Sequence, residues 1–269
     1  MMVGYGNVIL ILMTSEPEIA IPATAAGVDY IVIDRETRGK AARQNGTHFD
    51  QRTGDLGLVR IMSQDLGLPV IVRIDSLGRE SGQQIEELVE LGVEGAMLPM
   101  ASSALEAQEF LDLVAGRLKT IVQIETSSAV DDIDRIASLG WDILHFGLND
   151  LSLSLRRKDI WEVVADGSMA RWLQPLSGRR YGFGGATILS GGYPIPSPLV
   201  LGTMAGLGCG AVLLRRSFIR DCPAAQMPAQ LAKMRGFLEM RLLDSSANRA
   251  EAYETSLAEL TRIVLGNHD

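Results

Sequence analysis

The chain has 269 residues, 46% of them hydrophobic and 5% aromatic, with 28 glycines and a formal charge of −8. The acidic balance argues against a nucleic-acid or anionic-membrane surface as partner. Its two cysteines, Cys209 and Cys222, form no CxxC pair, so neither a thiolate zinc site nor a disulfide framework is available.

In chain order, the first apolar run, 8–13, has no basic segment before it and no small-residue cleavage site after it. It is also too short to span a bilayer. A soluble cytoplasmic protein without membrane contact is expected. From there a phrase recurs: an apolar helix tail, a Gly, then an apolar strand. It reads AAGVDYIVID, DLGLPVIVRID, ELGVEGAMLPM, SLGWDILHFG and GLGCGAVLLRR. A Gly just past a helix accepts the left-handed conformation that ends it, so each copy marks a helix C-terminus feeding a strand.

Eight strands follow, near 8–13, 30–34, 69–75, 95–100, 119–125, 142–148, 181–188 and 211–217. Helical patterns separate them at about 16–26, 52–66, 79–91, 103–115, 128–139, 157–165 and 197–207, the first with a Ser15/Glu18 capping box. Eight such units predict an α/β fold, a (β/α)8 TIM barrel with its active site at the C-terminal strand ends. A doubly wound sheet is the alternative, but no Gly-rich dinucleotide loop follows the first strand. The barrel is assigned to 1–222. Residues 223–269 form a C-terminal helical extension, more than one closing helix requires, and so available to a partner subunit. There Met227, Leu231, Met234, Leu238 and Leu242 share one helical face.

The stretch 121–152 carries the clearest chemical signal. KTIVQIE and WDILHFGL are apolar runs of strand length, and SSAVDDIDRIASLG between them has helical spacing. A short crossover of this kind sets the two strands parallel. Glu125 closes the first and Asp150 lies just past the second. Neighbouring strands are about 4.8 Å apart, so the two acids can share one divalent cation. The plainer reading makes Asp150 the N-cap of a short helix. Glu125 is not needed as a cap, because Thr126, Ser127 and Ser128 already supply capping groups.

Other strand ends offer Asp34-Arg35-Glu36-Thr37, then Arg73 and Asp75, then Pro99 and Met100. Arg73 suits a substrate carboxylate, or else forms a salt bridge to Asp75, Glu36 or Glu125. Of three histidines, His268 lies in the tail. His145 shares a strand face with Ile143 and Gly147, as a packed core residue or a catalytic one. His48 sits in the polar loop NGTHFDQRTGD, as a solvated side chain or as an acid/base group.

Together AAGVDYIVIDRET, PVIVRID, GVEGAMLPM, IVQIETSSAVDDID and DILHFGLNDLS resemble the HpcH/HpaI aldolase and citrate lyase family of the phosphoenolpyruvate/pyruvate barrels, over roughly 15–155. The resemblance implies a metal-dependent carbon–carbon lyase or aldolase acting on a pyruvate-like 2-oxo acid, with an aldehyde or acyl partner, through a metal-stabilised enolate. Glu125 and Asp150 correspond to Mg²⁺ or Mn²⁺ ligands. Arg73 and Gln123 correspond to groups that hold the pyruvate unit, and Asn149 and Asp150 come from the motif that completes this pocket. Glu36 corresponds to an acid ordering metal-bound water, and Glu90 falls near the acid that supports the family's catalytic His. A homo-oligomer with exchanged C-terminal helices is implied as well.

The chain departs from the pattern in three places. Thr37 stands where the aldolase branch has its catalytic His. The fourth-to-fifth strand connection is a single helix, more like that of the citrate and malyl-CoA lyases, yet GAMLPM lacks the Lys of that branch. The loop LSGGYPIPSP has no counterpart. An acyl-CoA lyase, with RRKD at 156–159 as its basic stretch, and a catalytically impaired binding subunit are therefore the alternatives. His48, metal-bound water and His145 are the candidates for the base that Thr37 cannot be.

Overall fold

The computed structural model describes residues 8–37 and 55–266. Its sheet is a closed parallel barrel in which strands follow one another in chain order. The strands are β1 (Ile9–Met13), β2 (Tyr30–Asp34), β3 (Val70–Arg73), β4 (Gly95–Ala101), β5 (Lys119–Ile124), β6 (Ile143–Phe146), β7 (Tyr181–Ala186) and β8 (Ala211–Leu214). The predicted α/β barrel is thus the observed fold.

Alternation along each strand sorts side chains into two cores. One set points inward: Ile9, Ile11, Val32, Ile71, Met97, Ile121, Ile143 and Ala211 fill the barrel. The other set, including Leu10, Ile33, Val72, Leu98, Val122 and Leu144, meets the surrounding helices. The helices between the early strands are α1 (Pro17–Ala25), α2 (Leu56–Arg60, continued by a π turn Ile61–Asp65), α3 (Ser81–Glu90) and α4 (Ala104–Val114). Four of the five helix-ending glycines behave as the sequence predicts, Gly92 and Gly208 with φ of +62° and +74° among them, while Gly140 does not take a left-handed φ.

Local pattern misjudges several boundaries. No Ser15/Glu18 box caps α1; Glu16 is the N-cap without a side-chain bond, and Pro17 opens the helix. The single helix expected over 128–139 is two, α5 (Ser127–Asp131) and α6 (Ile133–Ala137), broken at Asp132. Strand β6 ends at Phe146 and runs straight into α7 (Leu148–Ser154), where a continuing strand was expected. Short α8 (Glu162–Ala165) and α9 (Ser168–Leu173) complete that connection.

After β7 come α10 (Ser197–Gly206), then β8, α11 (Ser217–Asp221), α12 (Met227–Leu243) and α13 (Ser246–Gly266). Within this chain the apolar stripe of the C-terminal extension packs on the barrel. Met227, Leu231, Met234 and Leu238 are buried, and α12 lies against α1 and α10. Arg235 pins it there, donating to the carbonyls of Val8 and Gly27 and pairing with Asp29 at 2.8 Å. The barrel therefore closes with its own helix. Helix α13 covers α10 from outside. A Cβ on Gly202 or Gly206 would collide with Ser256 or Tyr253, so the two helices touch nearly backbone to side chain.

Candidate active site

On the strands from β2 to β5 polar side chains lie beyond the interior apolar layer, and they meet at the C-terminal strand ends. Arg73 closes β3. Its Nε and Nη2 donate to the two carboxylate oxygens of Asp34 at 2.9 and 2.8 Å, a bidentate fork. Nη2 lies 3.3 Å from Glu36 Oε2, and Nη1 donates to Gln123 Oε1 at 3.4 Å. Burial opposes the guanidinium charge, and the bond to Asp34 outweighs it, so Arg73 is held above its ordinary range. The salt bridge weighed for Arg73 thus exists, with Asp34 and Glu36 as partners. Asp75 is occupied elsewhere, accepting from Thr37 N at 2.7 Å, Thr37 Oγ1 at 3.1 Å and Gln84 Nε2 at 2.9 Å.

Glu125 follows β5 and is 4% exposed. Thr126 caps the next helix through Ala129 N, which frees Glu125 from that role. Two backbone features aim its carboxylate. The β4–β5 register shifts between Leu98 and Ala101, and in this bulge Met100 takes a left-handed φ of +56°. Its N–H then donates to Glu125 Oε2 at 3.0 Å. On the other side Gly147 leaves the space that the carboxylate fills, since a Cβ there would collide with it. Burial pushes the Glu125 carboxyl up to about 7. Arg73 opposes that rise and the Asp150 charge adds to it. Asp150 lies in the first turn of α7 and is not its N-cap, which is Gly147.

This set fits a hard divalent cation. Two carboxylates from adjacent strand ends converge, and one is strained upward by burial and by the other, which a cation would relieve. Among the described residues no three His, Cys, Asp or Glu side chains form a complete cage. Water and substrate oxygens would complete the shell, as Mg²⁺ prefers.

The remaining candidates divide. Gln123 and Glu36 are buried within the cluster, while Asn149 is exposed on α7. His145 is 2% exposed, with neither ring nitrogen hydrogen-bonded. It pairs in register with Gln123 and Gly182 beneath the mouth. Burial, then Arg73, push it down to about 4, so it is a neutral interior residue. Glu90 is corrected: it is the exposed last residue of α3. That helix runs back to the strand beginnings, where Glu94 N bonds Val70 O at 2.8 Å, so Glu90 lies at the opposite end from the mouth. His48 lies outside the described residues.

Sequence reasoning names Asp34, Met100 and Gly147 but gives them no role in the site. The DxE spacing at the β2 end and the FG preceding α7 were signals for two of them. The left-handed Met100 has none. Two surface clefts lie elsewhere, one of about 320 Å³ along Arg241, Asn248 and Thr255, another of about 820 Å³ along Arg156, Lys158 and Val264. Neither includes a residue of this cluster. Of the RRKD stretch, Arg157 is paired with Asp166 at 2.6 Å.

A closed parallel barrel with acids and an arginine gathered at its C-terminal strand ends has the architecture of a barrel enzyme. Residues 7–164, more than half of the chain, match the HpcH/HpaI aldolase/citrate lyase family, and the chain belongs to that family. No curated protein matches it in sequence. Among solved structures it is similar to protein CitE from Mycobacterium tuberculosis in complex with magnesium and pyruvate. That pair shares 19% identity with a TM-score of 0.60, covering 94% of this chain and 100% of that one. The HpcH/HpaI aldolase from Desulfitobacterium hafniense DCB-2 is 21% identical with a TM-score of 0.54, over 89% and 95%. The citrate lyase beta subunit of M. tuberculosis with oxaloacetate and magnesium is 17% identical with a TM-score of 0.57, over 87% and 97%. No described helix is long and apolar enough to cross a membrane.

Proposed function

We propose that this protein is a divalent-cation-dependent carbon–carbon lyase or aldolase that acts on a pyruvate-like 2-oxo acid. The observation that carries this reading is the buried Glu125 carboxylate. It is aimed by Met100 N–H and Gly147 and raised by burial and by Asp150, beside the Arg73–Gln123 pair. Family membership supports the reaction class. The neighbours whose structures hold magnesium with pyruvate or oxaloacetate support the ligand class.

In this reading Glu125 and Asp150 hold Mg²⁺ or Mn²⁺, which supplies Lewis acidity to the bound oxo acid. The residues of the chain do the rest. Arg73, fixed in one orientation by Asp34, presents Nη1 toward Gln123, so the pair can bind the carboxylate and oxo oxygens. Its charge stabilises the enolate as the carbon–carbon bond breaks or forms. Glu36, buried beside Arg73, orders water at the edge of that charge. Thr37 is tied to Asp75 and takes no proton. Proton transfer therefore falls to His48 or to water, and His48→Ala separates the two by its turnover number.

The test is exchange of pyruvate methyl protons in deuterium oxide, with and without Mg²⁺. Cation-dependent exchange that Glu125→Gln abolishes is the expected result. Equal exchange in the variant, or none in the parent, would sink the proposal.

A further inference from the structure

Across the mouth from Glu125, strand β8 carries a cation that the site above does not use. Ala211 and Leu213 pair with Ile9 and Ile11, and all four belong to the interior core. The ladder runs one residue further, because Arg215 N donates to Ala186 O at 2.9 Å. Alternation 211, 213, 215 therefore sets Arg215 on the interior side at the mouth. Beneath it Leu213 and Met13 are half-buried, whereas Val32, Ile71, Met97 and Ile121 are sealed. The barrel is open to water on the β8–β1 side, over an apolar wall.

Two other arginines near these strand ends are paired. Arg73 is held by Asp34 and Glu36, and Arg35 lies 3.8 Å from Glu87. Arg215 instead donates one Nη1 bond, at 3.3 Å, to the carbonyl of Tyr193. No described carboxylate lies within ion-pair distance of it. A carbonyl anchor orients the guanidinium without cancelling its charge, and leaves most of its five donors without a partner among the described residues. The loops after the seventh and eighth strands are also where barrels of this kind commonly hold anionic groups.

We propose that Arg215 binds an anionic terminus, a carboxylate or a phosphate, on the second substrate. The short apolar chain of that substrate would lie on Met13 and Leu213. This rests on the aldolase reading of the same mouth. Three strand spacings separate β5 from β8, which puts the cation pair and Arg215 roughly 10 Å apart across the mouth. That distance suits a carbonyl at one end and an anion four or five atoms away. Specificity then comes from the charged end, because a guanidinium left without its oxygen pair penalises neutral analogues.

The experiment compares three aldehydes with pyruvate and Mg²⁺ on the full chain: 5-oxopentanoate, glycolaldehyde phosphate and neutral pentanal. The kcat/KM of at least one charged aldehyde should exceed that of pentanal about 10- to 100-fold, the usual worth of a charge-assisted contact. Whichever aldehyde leads identifies carboxylate or phosphate. Arg215→Leu should bring the charged-to-neutral ratio close to one, with Arg215→Lys in between. Equal values in the parent, or a ratio unmoved by Arg215→Leu, overturns the proposal. Deuterium exchange with pyruvate alone tests the aldolase reading separately. If that exchange is absent, calorimetric binding of 5-oxopentanoate and of glycolaldehyde phosphate to parent and Arg215→Leu decides, and affinities that the substitution leaves unchanged for both probes reject the Arg215 site.

Discussion

The barrel mouth has two unlike halves. From β2 to β6 every strand end carries charge or amide: Asp34 and Glu36, Arg73, the Met100 bulge, Gln123 with Glu125, and Asp150 after Gly147. From β7 round to β1 the ends carry Gly184 and Gly185, Leu213 and Met13, with Arg215 above. The family match, residues 7–164, stops short of β7. The chemistry is thus assembled where neighbouring strands can share one ion and one bidentate fork. The other arc, free of that constraint, is left to shape and to a single cation. In the proposed reading, reaction class and substrate choice reside on separate arcs of one ring, and each arc can be broken alone.

The sharpest break is on the acid arc. Glu125→Gln keeps the shape and removes one of the two proposed cation ligands. Activity should fall about 1,000-fold, since Lewis-acid assistance is worth several kcal/mol, while the circular dichroism spectrum is retained. A variant that kept Mg²⁺-dependent turnover would remove Glu125 from the site. Gly147→Ala attacks the same carboxylate from its other side, because the added methyl occupies its place. A displaced ligand should cost roughly 10- to 100-fold in cation affinity, as loss of ligand support generally does, read by titrating Mg²⁺ against activity.

Arg73 comes next. Arg73→Lys cannot reproduce the fork on Asp34, and kcat/KM should fall about 100-fold, in line with two charge-assisted bonds. Arg73→Met leaves Asp34 and Glu36 buried without their cation. About 3–5 kcal/mol of stability should be lost, the usual cost of orphaning a buried charge, as measured by urea unfolding. Stability within 1 kcal/mol of the parent would mean that these acids are satisfied by other groups.

How much of this was legible depended on range. Strand β5 and its Glu125, strand β6 and Asp150, and Arg73 at the end of β3 announce themselves through apolar runs that stop at a charged residue. The pairing of Arg73 with Asp34 rather than Asp75 was not legible, because it depends on the register Asp34↔Arg73 across two strands 39 positions apart. Glu90 was misplaced for a related reason. Nearness in sequence to a strand says nothing of which end of the barrel a helix returns to. Met100 was invisible because a bulge is a property of two strands together. The C-terminal stripe was legible as an apolar face, but the α1 and α10 surface it covers within this chain was not, since periodicity shows that a face is buried and not by what.

A smaller effect separates the two buried titrating groups. The Glu125 carboxyl rises from 4.5 to about 7 in the fold. Between those values the folded protein keeps a proton that the unfolded chain has released, so stability falls as pH rises through that window. His145 falls from 6.5 to about 4. Between those values the unfolded chain takes up a proton that the folded one refuses, so stability falls as pH drops. Over the shared range the slopes oppose each other, leaving the parent nearly flat. His145→Leu removes one of them. Without added cation its stability should decline from pH 5 to pH 7 by ~1.4 kcal/mol per unit, and saturating Mg²⁺ should suppress the decline. A profile in the variant as flat as the parent's would show that Glu125 is ionised throughout.

The least effect on chemistry is expected furthest from both arcs, where α13 lies over α10. Gly206→Ala drives a methyl into Tyr253, and overpacking of this kind costs about 1–3 kcal/mol. The substitution touches none of the residues at the mouth, so kcat per folded molecule should be unchanged while the melting temperature falls. Adding Tyr253→Ala removes the obstructing ring. If the collision is the whole effect, the double variant should be more stable than the sum of the two single losses predicts. The informative failure would be a drop in kcat without loss of fold. Helix α10 follows the loop 187–197, whose Thr187 and Ser197 are bonded to each other, Ser197 Oγ to Thr187 O at 2.7 Å, and whose Tyr193 carbonyl anchors Arg215. A lowered kcat for charged aldehydes alone would then trace the coupling from α13 through α10 to the β7–β8 arc, and not to Glu125.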